Sequence, residues 1–335
     1  MDTRRILPLF LLLLLAACRN PSASPIPPVA SATGVAAYPP PGGTLAYPAP
    51  SAPAPSGYPA PTDTAQPPYP APGGEQISTD PQDLSFVSED GLALAGTYYP
   101  SSTANSPLVL LMHQFGRSRA DWVELAHWMQ NGSSPGAYTS GVLANRAFKY
   151  DWFPPMPAGL SLAVFSFDFR GHGGSAGPSE SFDAAGFLMD ARAALAFARA
   201  LPGIDPQRII TIGASIGADA AVDVCLSIDD FEIDDEQEGQ GCIGALSLSP
   251  GNFLGVDYVA AITRLGQAPH AVTVHCLAAE ADANAPELCR AEVGAYKTHT
   301  IYPGSDHGFA LIEDGRDPNV GQVILDFLLQ ALDLQ

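Results

Sequence analysis

The sequence predicts an α/β domain: a mainly parallel sheet of about eight strands with helices on both faces. Three observations predict it. From Leu84 onward, short apolar runs alternate with longer stretches of helical periodicity. The runs are too continuously apolar for strands that face water on one side, so both faces of the sheet must be covered. The connections between them are mostly long enough to carry the helix that a parallel crossover needs.

The chain before this domain reads differently. Arg4 and Arg5 precede an apolar run from Ile6 to Ala17, the basic and hydrophobic parts of a secretory signal. That run is shorter than the roughly 20 residues that span a bilayer as a mature helix. It ends in Leu15-Ala16-Ala17-Cys18, which resembles the bacterial lipobox. The resemblance implies that residues 1–17 are removed and that Cys18 is diacylated. The protein would then be held to a membrane of the cell envelope, outside the cytoplasm, because two acyl chains anchor stably where one does not. Residues 18–77 are rich in Pro, Ala, Ser, Gly and Tyr, with Tyr-Pro-Ala-Pro recurring at Tyr47, Tyr58 and Tyr69. Proline at this density favours extended polyproline II and supplies little for a core, so the segment is expected to act as a tether.

Residues 78–335 are the expected folded domain. A hairpin joins Leu84–Val87 to Leu92–Tyr99 around Asp90-Gly91, a pair that tolerates positive φ. Buried-type strands follow at Leu108–Met112, Leu162–Phe167, Arg208–Ile212, Ile243–Leu248, Ala271–Leu277 and His299–Ile301. Helical patterns lie at about 119–129, 184–201, 216–226, 287–296 and 318–333. After Ser249-Pro250-Gly251 the next strand arrives too soon for a separate cap domain. The insertion is instead Gln130–Ser161, whose Trp152, Phe153 and Met156 either wall an apolar pocket or strap the loop to the sheet.

Charge and cysteine content narrow the function. Lys and Arg number 15 against 35 Asp and Glu, a formal charge of -20, so the surface repels nucleic acid. The acidic run from Asp229 to Glu238 lacks the spacing of a calcium loop and reads as a solvated loop. Besides Cys18 there are Cys225, Cys242, Cys276 and Cys289, an even set expected to pair in an exported chain. Pairing Cys225 with Cys242 and Cys276 with Cys289 closes the shortest loops of three connectivities; four buried thiols are the alternative. No spacing matches a zinc site, and no cofactor is implied.

The chemistry concentrates at Gly213-Ala214-Ser215-Ile216-Gly217, which follows a predicted strand and opens an alanine-rich helix. A sharp strand-to-helix turn thrusts such a serine out above the sheet, and its crowding excludes side chains two residues to either side. With its context, this motif resembles the nucleophile elbow of the α/β-hydrolase superfamily, in particular the dienelactone-hydrolase-like and small-esterase branches. The resemblance runs from about residue 84 to 333. Leu110-Leu111-Met112-His113-Gln114-Phe115-Gly116 resembles the family's oxyanion loop, with Gln114 where the first glycine is usual. Phe167 to Ser175 resembles the segment ending the fourth strand, and Pro303-Gly304-Ser305-Asp306-His307-Gly308 the loop of the catalytic histidine.

What the resemblance implies is a Ser215, Asp282, His307 triad in the family's chain order, with backbone N–H groups of Ile216 and Phe115 receiving the oxyanion. Asp282 lies in Ala279-Glu280-Ala281-Asp282, similar to the family's acid turn; Glu280 and Asp257 are its rivals, and Asp306 reads as a loop group. His113 and His172 read as braces of the loops after the third and fourth strands. The expected activity is hydrolysis of a small-molecule carboxylic ester through an acyl-enzyme. The alternatives are an exported serine peptidase, a lactone hydrolase, and a non-catalytic binding protein on the same scaffold.

Overall fold

The computed structural model describes residues 78–131, 151–179, 181–226, 241–267 and 271–334. The leader, Cys18, the tether, His270 and the Asp229–Glu238 run lie outside these residues.

Eight strands form one sheet: β1 (Gln82–Val87), β2 (Ala93–Tyr99), β3 (Ser106–Met112), β4 (Ala163–Phe167), β5 (Ile204–Ala214), β6 (Cys242–Leu248), β7 (Thr273–Ala279) and β8 (Lys297–Tyr302). Their spatial order is β1-β2-β4-β3-β5-β6-β7-β8. The first three in that order pair antiparallel, and every pairing from β4–β3 to β7–β8 is parallel. The β1–β2 turn closes by bonds between Ser88 and Leu92 and from Gly91 N to Ser88 O, with Gly91 at φ 86°.

The helices are α1 (Val123–Gln130), α2 (Ala184–Ala198), α3 (Ile216–Leu226), α4 (Tyr258–Leu265), α5 (Ala285–Arg290) and α6 (Val320–Ala331). Strand pleating divides the core between two layers. Leu108, Leu110 and Met112 point to the layer under α2, α3, α4 and α5, while Val109 and Leu111 point to the layer under α1 and α6. The sheet is therefore covered on both faces, as its continuous apolar runs require. Among the described residues, no helix is long and apolar enough to cross a membrane.

Three local expectations need correction. The sequence reading contains no helix between β6 and β7, yet α4 stands there. Asp257 caps it by accepting from Ala260 N at 3.0 Å, and Tyr258, Ala261, Ile262 and Leu265 form its buried stripe. The helix expected over 287–296 occupies only Ala285–Arg290, because Pro286 starts it early and Ala291 leaves the helical region at ψ 124°. The pattern at 119–129 begins as a 3₁₀ turn, Arg119–Trp122, before α1. In the insertion, Phe153 and Met156 are buried in the α1/α6 layer, Trp128 meets Phe153 edge-on at 5.0 Å, and its indole donates to Pro154 O. These residues strap the loop to the domain.

Disulfides join Cys225 to Cys242 and Cys276 to Cys289. The first ties the end of α3 to the start of β6; the second ties β7 to α5 and encloses Asp282 in its loop. Cross-linking loops of this length removes unfolded-chain entropy equivalent to about 3 kcal/mol each. The Cys276→Ala/Cys289→Ala double variant should lose about that much stability, read by urea unfolding as a lowered midpoint with an m value raised by the less compact unfolded chain.

Candidate active site

The sheet's order reverses on either side of β3, where the chain passes to β4 on one side and to β5 on the other. Such a switch opens a crevice beyond the carboxyl ends of the strands, and the candidate residues gather there. Ser215 follows β5 directly, at φ 55°. A Cβ on Gly213 would stand 1.8 Å from Gly217 O, and one on Gly217 would stand 2.3 Å from Met112 O. These contacts are why the motif needs both glycines. Ile216 is the first residue of α3, so its N–H is among those a helix leaves without an intrahelical acceptor.

His307 and Asp282 come together from the ends of β8 and β7. Nδ1 of His307 lies 2.8 Å from Oδ1 of Asp282, which is buried, while the imidazole is half-exposed. The next residue, Gly308, passes over the elbow: a Cβ built on it would lie 3.6 Å from Cβ of Ala214. The other acids have different partners. Glu280 pairs with Arg290 at 2.5 Å, Asp306 pairs with Arg316 at 2.7 Å, and Asp257 caps α4.

The loop after β3 is held by two imidazoles, one on each side of Phe115. His113, almost fully buried, accepts from Phe169 N through Nε2 at 3.0 Å and donates through Nδ1 to Gln114 O at 2.7 Å. His172 accepts from Gly116 N at 3.0 Å and donates to Arg170 O at 2.8 Å. Accepting from an N–H requires a neutral ring. Burial favours that state in His113, bringing its pKa down to about 4. The segment after β4 is braced in turn by Asp168, which accepts from Arg119 N at 2.7 Å and Gly174 N at 2.8 Å and pairs with the Arg119 guanidinium.

Asp219 is a site-supporting residue absent from the sequence reading. One turn beyond Ser215 and fully buried, it accepts from Gly251 N at 3.1 Å and Leu254 N at 3.3 Å. It thereby holds the loop after β6, whose Phe253 meets the His307 ring edge-on at 5.9 Å. Its signal was available: a lone early carboxylate in the alanine-rich helix that follows the elbow. Burial raises its pKa from 3.8 to about 6. The folded state thus holds a proton that the unfolded chain releases near pH 4. The resulting stability is complete below pH 4 and lost as pH rises through about 6. Between pH 4 and 7, wild type should lose about 2 kcal/mol relative to Asp219→Asn, measured by urea unfolding at both values. Equal changes in the two proteins would show that the carboxylate is not perturbed.

No group of His, Cys, Asp and Glu able to hold a metal occurs among the described residues. No family model matches the chain. Similar solved structures include the α/β hydrolase GrgF from Penicillium sp. sh18, at TM-score 0.50 and 16% identity over 76% of this chain and 99% of that one. Another is Thermogutta terrifontis esterase 2 phosphoramylated by tabun, at TM-score 0.50 and 16% identity over 78% and 97%. In sequence, an uncharacterized protein of Mycobacterium tuberculosis is 32% identical over 143 residues, 42% of this chain and 40% of that protein. The quorum-quenching protein AidA of Acinetobacter baumannii is 28% identical over 138 residues, 41% and 36% of the two chains. The chain spans about two fifths of the length of the curated relatives it matches. Identity of 16% carries architecture and not chemistry. Strand order, switch point, elbow turn and solved neighbours agree on that architecture: the chain has the α/β-hydrolase fold.

Proposed function

We propose that the protein is a serine hydrolase of carboxylic esters, with Ser215 as nucleophile, His307 as general base and Asp282 as the group that orients it. The observation that carries this reading is the 2.8 Å contact of His307 with a buried Asp282 on a loop lying over the elbow of Ser215. A serine hydroxyl needs such a base, and the base needs a carboxylate that fixes its tautomer. In the first half-reaction Oγ of Ser215 bonds to the ester carbonyl carbon while its proton passes to Nε2 of His307. The negative carbonyl oxygen is received by the N–H groups of Ile216 and Phe115. Its collapse breaks the C–O bond, and the His307 proton leaves with the alcohol. Water, deprotonated by the same imidazole, then releases the acid and frees Ser215.

A lactone is an internal ester, and the same steps would open it to a hydroxy acid. The likeness to a protein named for quorum quenching places lactones on the substrate panel beside open-chain esters. The test is covalent labelling of the full chain by a fluorophosphonate probe, a choice supported by the organophosphate adduct of the Thermogutta neighbour. Wild type should label and Ser215→Ala should not. A wild type that stays unlabelled where a known serine hydrolase reacts would replace this reading with a binding protein. Labelling with turnover of peptides alone would make it a peptidase. The lipobox-like Leu15-Ala16-Ala17-Cys18 supports a lipid-anchored location in the cell envelope, with residues 18–77 as tether. Wild type should incorporate labelled fatty acid and Cys18→Ala should not; a wild type without label would refute that location.

A further inference from the structure

Two side chains that the proposed chemistry does not use grip the loop of His307 from opposite sides of the elbow. Gly308 and Phe309 open a 3₁₀ turn, Gly308–Leu311, directly after His307. A helical turn leaves its first N–H groups without internal acceptors. Here Gly308 N donates to Oγ of Ser249 at 2.8 Å, and Phe309 N donates to Oε1 of Gln114 at 2.8 Å. Ser249 stands just after β6, fully buried at φ 57°; Gln114 stands just after β3. The fit at Gly308 is close: its φ is 59°, and a Cβ there would lie 2.4 Å from Oε1 of Gln114.

Resting on the serine-hydrolase reading of this site, we infer that Gln114 and Ser249 are positioning residues that clamp the His307 loop over Ser215. Gln114 thereby couples the two halves of the chemistry. Its own carbonyl is held by His113, its neighbour Phe115 supplies an oxyanion N–H, and its side chain holds the loop of the base. Asp282 alone does not fix that loop. It accepts one hydrogen bond from His307, and its other oxygen, Oδ2, is buried with no hydrogen-bond partner among the described residues. Orientation of the imidazole therefore falls to the backbone on its carboxyl side. The glutamine at a position where the resembled family usually has glycine accordingly acts on the base loop.

The test uses the full chain and its Gln114→Gly, Gln114→Glu and Ser249→Ala variants. Two properties are read: steady-state hydrolysis of p-nitrophenyl butyrate across pH, and the low-field NMR signal of the His307 Nδ1 proton. Displacement of a catalytic group by about 1 Å lowers rates about 100-fold. Gln114→Gly and Ser249→Ala should each lower kcat by about 10- to 100-fold with KM near wild type. Both should also broaden or lose the Nδ1 signal. Gln114→Glu keeps an acceptor for Phe309 N and should recover most of kcat. Its acidic limb should move to higher pH, because an added carboxylate stabilises the imidazolium. Unchanged kcat and Nδ1 signal in both Gln114→Gly and Ser249→Ala overturns the inference. A loss confined to KM also overturns it. If wild type hydrolyses no ester, the esterase reading fails, while the NMR signal alone still decides whether the clamp holds His307.

Discussion

Substituting Ser215 or His307 by Ala should lower kcat for ester hydrolysis by about 10⁶-fold, and substituting both should cost scarcely more. In the proposed mechanism the two act on one proton in one step, so losing either removes the same pathway. Folding should be intact. The turn is shaped by Gly213 and Gly217 and by the bond from Ser215 N to Leu248 O at 2.8 Å, none of which involves the serine hydroxyl. His307 is half-exposed and contributes little to the core. The measurement is kcat with p-nitrophenyl esters from short to long acyl chains, beside thermal unfolding of each variant. Equal turnover by wild type and Ser215→Ala would remove Ser215 as nucleophile.

Asp282→Asn should lower kcat by about 10⁴-fold while leaving the shape of the site unchanged. The carboxylate accepts the Nδ1 proton of His307 and so leaves Nε2 free to take the serine proton. An amide nitrogen in that place would donate instead, shifting the ring proton to Nε2 and blocking the base. The competing acids give a control. Glu280→Gln, Asp257→Asn and Asp306→Asn alter groups engaged with Arg290, the α4 amino end and Arg316, and kcat should stay near wild type in each. A loss in Asp257→Asn equal to that in Asp282→Asn would move the acid to the end of β6.

Local pattern and local crowding are written in the chain itself. Runs such as Leu108–Met112 and Ile243–Leu248 announce strands buried on both faces, and with intervening helices they determine an α/β sheet. The spacing of Gly213 and Gly217 about Ser215 is equally legible: the atoms a side chain on Gly213 would strike lie within the elbow itself, while those that crowd Gly217 lie on the distant end of β3. Element ends were less legible. The α4 stripe is only eight residues long, and the stop of α5 depends on a backbone turn at Ala291.

Which side chains meet across the crevice was decided only by tertiary structure. Asp282, Glu280 and Asp257 are alike as carboxylates near strand ends, and the fold alone brings Asp282 to His307 while engaging the others elsewhere. The contact of Gln114 with Phe309 spans 195 positions, and that of Asp219 with Leu254 spans 35. Periodicity and motif spacing carry no information at such separations. Hydrogen bonds there depend on the order in which strands add to the sheet, so the sequence by itself determined the sheet and its elbow, and the packing of loops around that elbow determined the rest.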